Sequence, residues 1–498
     1  MTSARPEGAI ASLEKAFARY RPIVDGWDDF IAALLRPLPP TIWTNTLRTT
    51  PARLIEELGE LGLDVEPLSW HPGAFRVRAE EKPGKHWPLV AGLYHIQEEV
   101  SLVPARLLEP RPGERVLDLC ACPGNKTAQM AVAMENRGTI VANDVDWGRM
   151  RALRNSIERL GLFNVVTTLS DGRRFPNEAG RFDRVIVDAP CSCEGTARKS
   201  PDVVDELLAG GYRRNVALQK TLLKRAFRLC RPGGRIVYST CTFAPEENEL
   251  VVDSLLEDVG DAVEILPARI EGLASSPGIT EWDGRKLAPE LERTMRIWPH
   301  ENDSGGFYVA LLEKRRDDRA PRTEFPERRS DFHERWNAPD PDPAALDRAW
   351  SAVEARFGVP RDALGPVRTF RGKRHIYYVS SEDLLPPAAP EPDAAGVAFL
   401  RVNLEYPRLT TAAALHLGHL ADRNTLELPL GLLERYFRRE TIPIDAQRGS
   451  GLDGRGYVIV THRDVPCGLG FFRPSDQGDG SGDLESYFPK GWGWGLVP

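Results

Sequence analysis

Between residues 115 and 241 short apolar runs alternate with amphipathic stretches, and that alternation confines the chain to one class of fold. Arg115-Val116-Leu117-Asp118-Leu119 reads as a buried strand, Lys126 to Met134 as a helix and Gly138 to Asp144 as a second strand. From Trp147 to Leu160, the residues Met150, Leu153, Ile157 and Leu160 recur at helical spacing. Val165 to Thr168, Phe182 to Asp188 and Gly234 to Cys241 read as further strands, with a helix from Arg214 to Arg231 before the last. Strands alternating with helices build an α/β fold with a parallel, doubly wound sheet. Such sheets take their ligands beyond the carboxyl ends of the strands, at the switch point. Asp118, Asp144, Asp188 and Cys241 all stand at or near those ends, which points to one shared site.

Composition narrows the class of protein. A chain of 498 residues has room for roughly two to four domains. Its 41% hydrophobic and 28% charged residues are those of an ordinary globular protein. The net charge of −7 argues against an indifferent polyanion binder, but a local basic face would still serve a nucleic-acid enzyme. The opening MTSARPEGAIASLEKAF lacks the apolar core of a signal peptide, and no apolar run reaches the ~18 residues of a membrane span. With an odd count of 7 cysteines, reduced thiols and a cytoplasmic location are expected.

The ligand is read from the turn after the first strand, Cys120-Ala121-Cys122-Pro123-Gly124-Asn125-Lys126-Thr127. With only one glycine it meets neither the dinucleotide fingerprint nor the phosphate-binding loop. Asp144 could accept from a ribose diol, and Asp171, after the third strand, could read an adenine amino group. Each acid alone would read as a surface or capping residue. At successive strand ends they suggest adenosine without a pyrophosphate, which fits S-adenosylmethionine better than NAD or ATP. Cys191 and Cys193 follow the strand ending Asp188-Ala189-Pro190, and Cys241 ends another. Two thiols delivered by separate strand ends suggest covalent catalysis with a second thiol assisting.

The stretches LDLCACPGNKT, VANDVDWGRMRALRNSIERLG, FDRVIVDAPCSCEGTARKSPD and GGRIVYSTCTFAPEENE, in this order, resemble the Sun/Fmu-type RNA 5-methylcytosine methyltransferases. The resemblance covers about residues 40 to 315 well, and IWTNTLRTTPARLIEELGELG resembles the small RNA-contacting domain that precedes their catalytic sheet. It implies a Rossmann-like methyltransferase sheet with S-adenosyl-L-methionine as methyl donor. By resemblance Cys241 is the nucleophile toward cytosine C6, Cys191 assists C5 deprotonation and release, and Asp188 holds the N3/N4 edge. Contacts to the donor would come from Ala121, Cys122, Pro123, Gly124, Asn125, Lys126, Thr127, Asp144, Asp171 and Asp188. Lys126 and the sulfonium charge are expected to help Cys241 ionise.

Two positions depart from the family pattern. Asn125 stands where a glycine is usual, and is expected to supply the left-handed conformation of the turn. Cys193 replaces the usual glycine of the Pro-Cys loop. Because the first and fourth strands neighbour each other, Cys122 and Cys193 could form a metal or redox pair, although C-x-C without His is a weak signal. The preferred expectation is no metal. Cys230 and Cys467 read as structural.

Beyond the sheet, the division expected is an N-terminal RNA-contacting α+β domain (1–95), the catalytic domain (96–314), a charged linker (315–345), a connecting subdomain (346–395) and a PUA-like RNA-binding region (396–498). The basic and aromatic stretch RTFRGKRHIYY, at 368–378, suits phosphates and unpaired bases, or an edge strand with a solvated face. The segment SYFPKGWGWGLVP closes the PUA-like region. This extension resembles the RsmF-like branch and favours ribosomal RNA, or the small ribosomal subunit, over tRNA as partner. A DNA cytosine methyltransferase using Cys191 as nucleophile, and a non-catalytic ribosome-assembly factor, are the other classes.

Overall fold

The computed structural model describes residues 6–179, 181–209, 215–315, 343–361, 367–371, 375–380, 390–401 and 408–492. Helices α1 (Pro6–Phe17) and α2 (Trp27–Leu34) lead into an antiparallel sheet ordered β2-β3-β1-β4, built from β1 (Thr41–Thr44), β2 (Val65–Pro67), β3 (Ala74–Val77) and β4 (Tyr94–Ile96). Helix α3 (Pro51–Glu60) joins β1 to β2. Its start is written locally. Thr50 accepts from the Arg53 amide through its hydroxyl, Pro51 sits where no amide is needed, and Leu54 and Leu58 turn inward.

The central parallel sheet follows the expected alternation. Strands β5 (Arg115–Asp118), β6 (Thr139–Asp144), β7 (Val165–Leu169), β8 (Phe182–Asp188) and β9 (Cys230–Thr240) run parallel in the order β9-β8-β5-β6-β7. Between them lie α4 (Asn125–Ala133), α5 (Trp147–Leu160) and α6 (Val216–Leu229), and α7 (Glu249–Val259) follows β9. Met150, Leu153, Ile157 and Leu160 of α5 are buried, as their spacing requires. Strands β10 (Val263–Leu266), β11 (Ser276–Pro277), β12 (Met295–Ile297) and β13 (Phe307–Lys314) extend the β9 edge antiparallel. The direction of winding reverses between β5 and β8, so the switch point lies between the loops carrying Cys120 and Asp188.

One expectation about the turn needs correcting. Gly124, not Asn125, takes the left-handed conformation, with φ of 104°, and caps α4. A Cβ there would lie 2.7 Å from Leu153 Cγ, so the position needs glycine for space as well as for conformation. Asn125 opens the helix, where no special backbone is required, and its side chain bonds His95 instead.

After Arg315 the expected linker lies outside the described residues as far as 342, and helix α8 (Pro343–Phe357) begins within its last residues. Strands β14 (Val367–Arg371), β15 (His375–Ser380), β17 (Val397–Arg401) and β18 (Arg408–Leu409) form a four-stranded sheet. Between β15 and β17 the chain returns to the parallel sheet as β16 (Pro392–Ala395), which pairs antiparallel with β7 and covers that edge. A five-stranded sheet of β19 (Thr425–Glu427), β20 (Ile442–Ile444), β21 (Gly456–His462), β22 (Val465–Pro474) and β23 (Gly482–Ser486) ends the chain, with α9 (Thr411–Leu417) and α10 (Leu430–Phe437) beside it. Residues 372–374 of the basic and aromatic stretch, and 493–498 of the glycine-rich end, lie outside the described residues. No helix among the described residues is long and apolar enough to cross a membrane.

Candidate active site

Two cavities meet above the carboxyl ends of β5, β8 and β9. The first, of about 340 Å³, is walled by Ser101, Lys126, Lys199 and Phe307, and the second, of about 510 Å³, by Asp144, Val145, Asp171 and Cys191. Cys120, Cys122, Pro123, Asp188 and Cys241 belong to both walls. Both volumes lie in the range of small-ligand sites. The arrangement suits a reaction between two ligands that approach one boundary from opposite sides.

The β5 turn is held from beneath. The Cys122 amide donates to Asp144 Oδ2 at 3.0 Å and the Asp146 amide to Oδ1 at 2.9 Å, so Asp144 fixes two loops from the end of β6. Thr127 Oγ1 donates to Asp118 Oδ2 at 2.6 Å, while Asp118 Oδ1 is buried without a partner among the described residues. Burial pushes the Asp118 carboxyl up to about 7, against the opposing hydrogen bond from Thr127. Asp171 is gripped by Arg173, whose hydrogen bonds hold its carboxyl below the usual range, and it still faces the second cavity. The acids at the ends of β6 and β7 thus share one cavity, the one in which the expected S-adenosylmethionine would lie. A methyl donor of that kind supplies an electrophilic sulfonium methyl.

The expected catalytic residues converge. Cys191 Sγ lies 3.4 Å from Cys241 Sγ, across the junction of two loops fifty residues apart in sequence. Asp188 accepts from Lys126 Nζ at 2.7 Å and from Ser239 Oγ at 2.8 Å, and Lys126 also donates to Ser101 Oγ at 3.0 Å. Lys126 is therefore engaged with Asp188 rather than free to serve Cys241. The hydrogen bond from Cys191 favours a Cys241 thiolate, but the bond with Cys193 and burial outweigh it and hold the thiol well above its ordinary range. Hydrogen bonding to Cys193 first, then to Cys241, and burial raise Cys191 likewise. Hydrogen bonding with Cys191 and then Cys241 holds the Cys193 thiol below its ordinary range.

The Glu-Glu-Asn-Glu run after Cys241 was visible in the sequence, but its work was not. Glu247 accepts from the Ser192 amide at 3.0 Å and from Gln219 at 2.7 Å, tying the β8 loop to the β9 loop. Ser192 and Thr242 share a hydroxyl hydrogen bond of 2.8 Å across the same gap. Asn248 accepts from Thr240 Oγ1 and donates to the Thr242 carbonyl, fixing the chain on both sides of Cys241. Glu249 forms a fully buried pair with Arg296 of β12. Glu194 accepts from Tyr20 Oη and from the Phe243 amide, and burial pushes its carboxyl up to about 7. Tyr20, far off in sequence and unmarked by any motif, thus binds the N-terminal helices to the catalytic loop.

Of the expected donor contacts, Ala121, Asn125 and Lys126 face the first cavity, Asp144 and Asp171 the second, and Cys122, Pro123 and Asp188 both. Thr127 and Gly124 are turned toward Asp118 and Leu153, so they shape the loop without lining either cavity. Cys122 lines the same cavity as Cys191 and Cys241 but is not part of their sulfur cluster. The sulfurs that cluster are those of Cys191, Cys193 and Cys241.

The family model described as 16S rRNA methyltransferase RsmB/F matches residues 105–313. The tRNA (cytosine(49)-C(5))-methyltransferase of Pyrococcus abyssi is 37% identical over 305 residues, covering 61% of this chain and 96% of the relative. Ribosomal RNA small subunit methyltransferase F of Escherichia coli is 35% identical over 316 residues, covering 62% of this chain and 63% of the relative. The crystal structure of a methyltransferase homolog protein from Pyrococcus horikoshii superposes with a TM-score of 0.53 at 31% identity, over 62% of this chain and 100% of that one. The chain belongs to the RsmB/F family of S-adenosylmethionine-dependent RNA cytosine-C5 methyltransferases.

Proposed function

We propose that this enzyme methylates cytosine C5 in small-subunit ribosomal RNA through a covalent bond between Cys241 and C6, and that Cys191 serves the release step. The observation that carries the mechanism is the 3.4 Å approach of the two thiols where the cavities meet. Cytosine C5 is a poor nucleophile. Addition of the Cys241 thiolate at C6 pushes electrons through the ring and makes C5 nucleophilic toward the sulfonium methyl. Asp188, steadied by Lys126 and Ser239, accepts from the N4 amino group and orients the ring. After methylation the Cys191 sulfur, as thiolate, takes the C5 proton; the electron pair of the C5–H bond reforms C5=C6, and the Cys241 sulfur leaves as thiolate with the pair of the C6–S bond. The target base has to leave its stack to enter the first cavity.

The division into N-terminal, catalytic and C-terminal RNA-binding parts, with a PUA-like fold in the last, belongs to this reading, as does a cytoplasmic location. The region beyond residue 315 is the main support for ribosomal RNA. A tRNA substrate is the second reading, favoured by the coverage of 96% of the Pyrococcus abyssi tRNA enzyme. Transfer of label from S-adenosylmethionine to bare ribosomal RNA, small subunits and bulk tRNA, with Cys241→Ala alongside, separates the cases. Label on C5 of ribosomal substrates alone, lost in the variant, is the expected result. Label on tRNA overturns the substrate, and label surviving in Cys241→Ala overturns the nucleophile.

A further inference from the structure

We propose that Cys191, Cys193 and Cys241 form a three-sulfur site for a soft divalent cation, of the zinc or cadmium type, and that loading it withdraws the methylation nucleophile. The consequence for catalysis rests on Cys241 being that nucleophile; the site itself does not.

Three observations converge. The three sulfurs lie within 4.8 Å of one another, and the closest pair, Cys191 and Cys241, is 3.4 Å apart. Zinc–sulfur bonds of about 2.3 Å place the sulfurs of a tetrahedral site about 3.8 Å apart, so small rotations of the side chains suffice. All seven cysteines are free thiols, and these three are half-buried on the wall of the second cavity, where water can complete the coordination.

The third observation is the backbone of Cys193. Its φ is 58°, in the left-handed region, where a side chain costs about 1 kcal/mol that glycine does not incur. The loop therefore carries a cysteine at a position whose conformation suits glycine. That cysteine adds to the catalytic pair the one atom that turns two thiols into a three-ligand face. Coordination replaces sulfur–hydrogen bonds with sulfur–metal bonds and releases up to three protons to solvent, with no change of oxidation state.

The test uses the full chain under reducing conditions and cadmium as probe. Sulfur-to-cadmium charge-transfer absorbance in the ultraviolet is titrated in wild type, Cys193→Gly, Cys193→Ser and Cys241→Ser, with Cys122→Ser as control. One cadmium per chain is expected in wild type, with affinity lowered by about tenfold or more in each of the first three variants and unchanged in the control. Methyl transfer is followed in parallel, each protein against its own metal-free rate. Zinc should inhibit wild type reversibly, with relief by a chelator, and about tenfold more zinc should be needed for Cys193→Gly. No band in wild type, or affinity equal to wild type in Cys193→Gly and Cys193→Ser, overturns the site. A band that depends on Cys193 without inhibition of methyl transfer leaves the site standing and refutes Cys241 as nucleophile instead.

Discussion

Gly195→Ala tests the idea that packing around the β8 loop sets the position of Cys241. The Gly195 amide donates to the Cys241 carbonyl at 2.8 Å, and the Gly195 carbonyl accepts from the Gly306 amide at 2.9 Å. A Cβ on Gly195 would lie 2.1 Å from the Gly306 oxygen and 2.6 Å from its carbonyl carbon. These are backbone atoms that no side-chain rotation can move, so the two segments must part by about 1 Å to reach ordinary contact distance. Overpacking of this kind costs about 1–3 kcal/mol of stability. The same shift acts on Cys241, the proposed nucleophile, and a displacement of about 1 Å costs on the order of 100-fold in rate. The assay is kcat/KM for labelled methyl transfer together with the urea midpoint, with Gly59→Ala as control because nothing lies within 4 Å of a Cβ there. Gly195→Ala with wild-type kcat/KM and a wild-type midpoint would refute the reasoning.

Other substitutions read separate parts of the site. Cys191→Ala should accumulate a covalent enzyme–RNA adduct, seen as a slow band in denaturing gels, because addition proceeds while elimination stalls; ready turnover without an adduct would remove Cys191 from its role. Asp118 is held near pH 7 against an ordinary 3.8, so the folded state keeps its proton while the unfolded state loses it. Its contribution is full below pH 3.8 and declines as pH rises toward 7, by at most about 4 kcal/mol. Asp118→Asn keeps an acceptor for Thr127, and its urea midpoint should gain on wild type across that window; parallel pH profiles would contradict the assignment. Arg296 and Glu249 are 3% and 0% exposed, so Arg296→Met leaves a buried charge and should cost about 3–5 kcal/mol. The double variant with Glu249→Gln should recover part of that loss in chemical denaturation, and failure to recover any would show that packing, not charge, dominates.

The alternation of strands and helices, the acids at strand ends and the two Pro-Cys and Thr-Cys loops were legible because each depends on local spacing or on a short motif. Buried strands and amphipathic helices are patterns of period, and period survives in one dimension. The conformation of the turn was less legible. Asn125 and Gly124 are adjacent, and only the contact with Leu153 decides which of them must lack a side chain. The same holds for Lys126, whose charge the sequence displays but whose partner, Asp188, lies 62 residues on.

The sequence by itself determined the parallel sheet, its carboxyl-edge acids and the identity of the two thiols, since these follow from periodicity and from motifs a few residues long. Tertiary structure decided what those residues face. It brought Cys193 into the sulfur cluster, joined Tyr20 to Glu194, made the Glu-Glu-Asn-Glu run a brace between two loops and covered β7 with a strand from more than 200 residues away. Each of these is a contact between segments far apart in the chain. Its energy depends on a distance in space, and no local pattern of residues encodes that distance.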